Sequence, residues 1–193
     1  MKKLSKKFYQ RDDVVAIAKE LLGKRLCTNF NGKLTCGIIS ETEAYAGEID
    51  RASHAYGGRR TPRTEIMYAE GGTAYVYLCY GVHHLFNIVT HNKDVPHAIL
   101  IRGVFPETGI ETMMKRRKQK AMKKNFSAGP GTASQALGIH TKHSGISLLG
   151  DQIWLEETKI VVPEKEIVVG PRIGVDYAGE DAKLPYRFLW RKK

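Results

Sequence analysis

Residues 75–104 read YVYLCYGVHHLFNIVTHNKDVPHAILIRGV, and this stretch decides the fold. Tyr75–Cys79, Phe86–His91 and His97–Val104 are rich in β-branched and aromatic residues, the composition of strands. Gly81 and the Asp94-Val95-Pro96 stretch supply turns between them. Short strands this close together pair antiparallel, because a parallel partner needs a long crossover. Upstream, Asn31-Gly32 signals a tight hairpin whose second strand covers residues 33–44. Ile153–Leu155, Ile160–Val162 and Ile167–Val169 predict further short strands.

Helices are fewer. In DDVVAIAKELLG, residues 12–23, Asp12 or Asp13 caps the start. Val14, Ile17, Ala18, Leu21 and Leu22 fall on one face, and Gly23 suits the end. From Glu107 to about Lys124 the chain predicts a basic helix with Ile110, Met113 and Met114 as its apolar face. After the glycine-proline break at Ser127–Gly131, a short helix over Thr132–Leu137 follows. Without βαβ alternation, a repeat or a low-complexity linker, the expectation is a single α+β domain over residues 1–193. Its curved, mostly antiparallel sheet would form a roll or open barrel with surrounding helices. The basic ends, residues 1–7 and 191–193, read as tails.

The 193 residues suffice for one core. With 31 Lys and Arg against 20 Asp and Glu the formal charge is +11, which favours polyanionic partners through counterion release. The three cysteines (Cys27, Cys36, Cys79) include no CxxC pair, which argues against a disulfide framework or zinc knuckle and fits a reducing cytoplasm. His83, His84, His91 and His97 form no HExxH or finger spacing, so no metal is expected. The N-terminus lacks the apolar core of a signal peptide. No apolar run approaches the roughly 18 residues that span a bilayer, so no membrane association is expected.

Residues 41–63, ETEAYAGEIDRASHAYGGRRTPR, carry the chemistry. Strand alternation places Ile39, Glu41, Glu43 and Tyr45 on one face, so a cleft on that face receives Glu43 and Tyr45 together. A carboxylate beside aromatic rings serves a hydrolase as acid or base; on spacing alone, a solvent-facing decoration fits as well. His54 follows eleven residues later. In the loop Gly57–Arg63, backbone N–H groups and arginines suit phosphate oxygens, though an exposed turn without ligand has the same sequence. The order of a triphosphate-binding P-loop is absent. Tyr75 and Tyr77 share a strand face, and Tyr80, just before Gly81, sits at a hairpin tip suited to stacking on bases.

ETEAY, then SHAYGGRRTPR, YVYLCYG, Asn87 and ILIR, in that order, resemble the alkyladenine (3-methyladenine) DNA glycosylases of base excision repair. GPGTASQALGI at 129–139 and RIGVDYAGEDAKLPYRF at 172–188 extend the resemblance over about residues 8–190. It implies a single mixed domain with a β-hairpin that probes the minor groove. It implies Glu43 as the base that activates water, with Arg102 holding carboxylate and water. Tyr45, His54 and Tyr77 would line the pocket for a flipped base, and Asn87 would exclude normal guanine. Tyr80 would fill the gap in the duplex, while Arg59, Thr61 and Arg63 contact the DNA strand. The implied enzyme is monofunctional, since no lysine in these motifs stands where a Schiff base would form. It would act without cofactor, as a monomer in the nucleoid-associated cytoplasm, on double-stranded DNA containing damaged bases. The implied lesions are 3-methyladenine, 7-methylguanine, hypoxanthine and ethenoadenine. Val82 and His83 depart from the family pattern at the hairpin tip.

Overall fold

A computed structural model describes residues 2–192. Eight strands form one curled antiparallel sheet: β1 (Arg25–Phe30), β2 (Lys33–Tyr45), β3 (Thr73–Cys79), β4 (His83–Thr90), β5 (His97–Thr108), β6 (Ile153–Glu156), β7 (Ile167–Gly170) and β8 (Arg187–Trp190). The order is β3-β4-β5-β2-β1-β6, with β8 pairing both β2 and β7. The α+β class, the single domain and the antiparallel sheet thus agree with the sequence. Four short helices surround the sheet: α1 (Lys6–Tyr9), α2 (Val14–Glu20), α3 (Ile110–Arg117) and α4 (Pro130–Leu137).

Strand β2 is the spine. One edge pairs with β5; the other pairs first with β1 and then, over Glu41–Glu43, with β8. Opposite β5, Ile39 faces Val104, Glu41 faces Gly103 and Thr42 faces Ile101, which leaves Ser40 and Arg102 without partners of their own. These two bulges reset the alternation. Ile39, expected beside Glu41 and Glu43, is instead fully buried in the main core with Ile17, Leu21, Phe86 and Leu137. A smaller cluster of Ala55, Met67, Tyr68, Tyr75, Val89 and Ala98 forms separately.

Both tight hairpins use left-handed backbone. Asn31 and Gly32 have φ of 54° and 74°, as an Asn-Gly turn requires. At the β3–β4 tip, Tyr80 and Gly81 have φ of 49° and 70°, and the Val82 N–H donates to the Cys79 carbonyl at 3.1 Å. A tyrosine in this region is strained, since its Cβ crowds the backbone.

Several expected boundaries change. The basic helix occupies only Ile110–Arg117, because β5 continues to Thr108 and Lys118 turns left-handed at the helix end. Residues 160–162 form no strand. The Thr158 hydroxyl donates to the Gly23 carbonyl and accepts from the Ile160 N–H, while Ile160 and Val162 pack over Gly23. The basic stretch read as an N-terminal tail is built into the fold. Lys3 bridges to Glu156, Leu4 is buried, and α1 begins at Lys6. Apolar Leu4 supplies the reason, as its burial holds the flanking lysines against the sheet. At the other end the Arg191 N–H donates to the Glu166 carbonyl. Met1 and Lys193 lie outside the described residues.

Candidate active site

Across the sheet, Glu43 stands opposite Leu100, Leu100 opposite Asn87, and Asn87 opposite Tyr75. Directly paired residues point to the same face, so β2, β5, β4 and β3 present these four side chains as one row. Leu100, Asn87 and Tyr75 line a cavity of about 430 Å³, within the roughly 300–1,000 Å³ of small-molecule sites. Tyr45, His54, Tyr77 and Arg102 line it too, facing the segment Ile173–Val175 and Tyr177.

Glu43 ends the row, fully buried behind three of the cavity's lining residues. The Tyr45 hydroxyl donates to its Oε2 at 2.9 Å, and the Ile173 N–H donates to its Oε1 at 2.8 Å. Arg102 Nη1 lies 3.3 Å from the same Oε1. Burial raises the Glu43 pKa, while Arg102, the Ile173 N–H and the Tyr45 hydroxyl oppose that shift by favouring the anion. Burial is the largest of these effects, so the net direction is upward. Burial also drives the Tyr45 hydroxyl well above its ordinary pKa, so it stays a donor.

The aromatic wall is ordered by edge contacts. His54 meets Tyr77 edge-on at 4.7 Å, and its Nδ1 lies 2.9 Å from the Tyr75 hydroxyl. Arg63, expected as a strand contact, reaches into this wall with its guanidinium 5.0 Å from the Tyr77 ring centre. Its Nη2 lies 3.1 Å from His54 Nε2 and 3.4 Å from Nδ1. Burial first, then the charges of Arg63 and Arg59, lower the His54 pKa to about 4. Asn87 is buried, and its amide donates to the Tyr75 and Leu85 carbonyls at 3.2 and 3.3 Å.

Tyr80 stands at the rim, 94% exposed. Arg59 is exposed, and its carbonyl accepts from the Thr64 hydroxyl. Thr61 faces inward on the loop, where its N–H donates to Thr64 Oγ1 at 2.8 Å. Arg59 and Thr61 lie outside the cavity lining, as does Arg60, which pairs with Glu65 and Asp94.

Four contributors escaped the sequence reading. Arg187 holds Glu41, Ile173 offers its N–H to Glu43, and Tyr177 forms part of the opposite wall. Arg172, fully buried, pairs with both oxygens of Asp50, donates to the Ala44 carbonyl and lies 4.8 Å from the Tyr45 ring centre. RIGVDYAGEDAKLPYRF marked the segment, but no local pattern pairs Arg172 with Asp50. Among the described residues no three His, Cys, Asp or Glu side chains converge in metal-binding geometry.

Comparison with known proteins gives the family. The family model described as "Methylpurine-DNA glycosylase (MPG)" matches residues 7–193. A Clostridium perfringens protein named "Putative 3-methyladenine DNA glycosylase" is 48% identical, over 98% of this chain and 94% of its own length. Proteins of the same name from Chlamydia felis and Bacillus cereus are 48% and 44% identical. These cover 96% and 95% of this chain and 95% and 93% of their own lengths. A family match over almost every residue, with relatives this similar along their whole length, makes the chain a member of the methylpurine-DNA glycosylase family, DNA-repair hydrolases of N-glycosyl bonds.

Proposed function

We propose that this glycosylase takes 3-methyladenine and related damaged purines, flipped out of double-stranded DNA, into the 430 Å³ cavity and hydrolyses their N-glycosidic bond with water activated by Glu43. The observation that carries the reading is the full burial of Glu43 against Arg102 beside an aromatic pocket. A non-catalytic DNA-binding module has no use for a buried carboxylate that costs desolvation energy.

Glu43 accepts a proton from water as the water oxygen bonds to the anomeric carbon. The C–N bond breaks, and its electron pair leaves with the base. The ionised carboxylate also opposes the positive charge developing on the sugar, as in other glycoside hydrolyses. Alkylated purines such as 3-methyladenine are cationic, leave as neutral bases, and gain about 0.5–2 kcal/mol from each good aromatic face. Tyr45, His54 and Tyr77 offer such faces. Neutral lesions such as hypoxanthine need a proton on the leaving base. Base flipping is the general solution for enzymes that act on a base within a duplex. Tyr80, strained and exposed at a hairpin tip, is suited to fill the space the base leaves. The described residues lining the cavity include no lysine, which favours water over a Schiff-base nucleophile.

Duplexes carrying one hypoxanthine or ethenoadenine, together with methylated DNA, test the proposal. Glu43→Gln is expected to bind lesion duplex but release no base. Equal release by mutant and wild type removes Glu43 from the reaction.

A further inference from the structure

Arg102 does not serve Glu43 alone. Its Nε lies 3.0 Å from Glu41 Oε1, while its Nη1 is 3.3 Å from Glu43 Oε1. The same Glu41 oxygen accepts from Arg187 Nε at 2.6 Å. Glu43, Arg102, Glu41 and Arg187 therefore form an alternating chain of charges across β2, β5 and β8. Glu41 and Arg102 are largely buried, and Arg187 is half-buried at the far end.

The backbone explains why the chain is possible. Arg102 is the unpaired residue of a bulge, so its side chain is aimed by its partners rather than by the ladder. Residues 41–43 of β2 lie between β5 and β8, and Arg187 comes from the latter. A guanidinium can span two carboxylates because its donors point in fixed, divergent directions. We propose that Glu41 and Arg187 are positioning residues. Glu41 anchors Arg102 by its Nε so that Nη1 stays at Glu43, and Arg187 neutralises Glu41 so that it does not draw Arg102 away. This rests on the reading of Glu43 as the general base.

The groups facing Glu43 are few. Tyr45 and Glu41 come from β2, Arg102 from β5, Arg187 from β8, and the Ile173 N–H with the Arg172 charge from the segment opposite. Among them Glu41 is the one carboxylate, and its charge raises the Glu43 pKa. That repulsion is the weakest of these effects and the Arg102 attraction the strongest that favours the anion, so loosening Arg102 from either end disfavours ionised Glu43. Both ends of the chain act on Glu43 with the same sign, through Arg102.

The experiment is single-turnover base release from a hypoxanthine duplex as a function of pH, with duplex affinity and the melting curve measured alongside. Glu41→Gln, isosteric and uncharged, is expected to slow release about 10- to 100-fold through a loosened Arg102, with affinity unchanged. It should also move the acid limb up, because Glu43 loses part of the Arg102 attraction. Arg187→Gln is expected to slow release and move the acid limb up. Limbs that stay in place, or move down, in folded variants overturn the proposal. If Arg187→Gln does not fold, Glu41→Gln decides alone, with a ¹³C NMR titration of the Glu43 carboxyl reading the same shift without turnover. Glu43→Gln is the control. If it remains active, the general-base reading fails; if it is dead while the limbs stay in place, only the positioning role fails.

Discussion

The hydroxyl of Tyr45 donates to Glu43 Oε2 at 2.9 Å from two positions along the same strand, so the proposed base and the pocket wall share one piece of backbone. This bond, the Ile173 N–H and Arg102 each favour the anion and so offset part of the cost of burying the carboxylate.

That arrangement has a stability consequence. Burial raises the pKa of Glu43 in the folded protein above its unfolded value, so ionising it destabilises the fold. The penalty is absent below the unfolded pKa and grows as pH rises through the folded one. Glu43→Gln retains an acceptor for the Ile173 N–H and leaves Arg102 paired with Glu41. It is expected to raise the melting temperature at neutral pH, by about 2–4 °C for each kcal/mol relieved. The gain should vanish near pH 4. Thermal melts across pH check this, and a lower melting temperature at pH 7 contradicts it.

His54 behaves oppositely. Its pKa falls to about 4 on folding, from the ordinary imidazole value of 6.5. The contribution to stability is complete above pH 6.5 and is lost as pH falls toward 4, amounting to roughly 3 kcal/mol. Imidazole ¹⁵N shifts are expected to report a neutral ring down to about pH 4. Arg63→Gln should raise that midpoint. Titration of wild-type His54 between pH 6 and 7 would rule out the buried ring beside Arg63.

Tyr80 carries strain without burial. Tyr80→Gly should stabilise the hairpin by about 1 kcal/mol, since glycine adopts positive φ freely. Lesion-duplex affinity should nevertheless fall, and more than affinity for single strands. Unchanged duplex affinity leaves the tyrosine without a role in DNA binding.

Arg172 ties β2 to the segment that closes the pocket. Arg172→Met strands the buried carboxylate of Asp50 and is expected to cost about 3–5 kcal/mol in urea unfolding. Adding Asp50→Asn should recover much of it. A single-mutant cost below 1 kcal/mol shows that the pair is not a clamp.

Legibility followed locality. Asn31-Gly32 and Tyr80-Gly81 were readable as turns because positive φ is a demand on the residue itself. The helix at 14–20 announced itself by its Asp13 cap and one-sided apolar face. The helix at 110–117 was overestimated because its basic continuation, Lys118–Lys124, has helical composition but no packing partner to hold it. Ile160 and Val162 have strand composition, yet the Thr158 hydroxyl satisfies their backbone neighbourhood in place of a ladder. Ile39 was misplaced because a bulge at Ser40 depends on the partner strands.

For the site, the sequence by itself determined the residue types and their order: Glu43 and Tyr45 on one strand, aromatic residues on β3, and an arginine closing ILIR. Strand periodicity and family resemblance both act along the chain, so both were readable. The tertiary structure alone decided that Glu43 is buried rather than solvent-facing, that Arg63 covers Tyr77, and that Glu41 links Arg102 to Arg187. The last of these depends on β8 meeting β2 at Glu41, where the paired residues are some 146 apart along the chain. An ion pair at that separation leaves no local pattern, because its energy depends on distance and desolvation in the folded state.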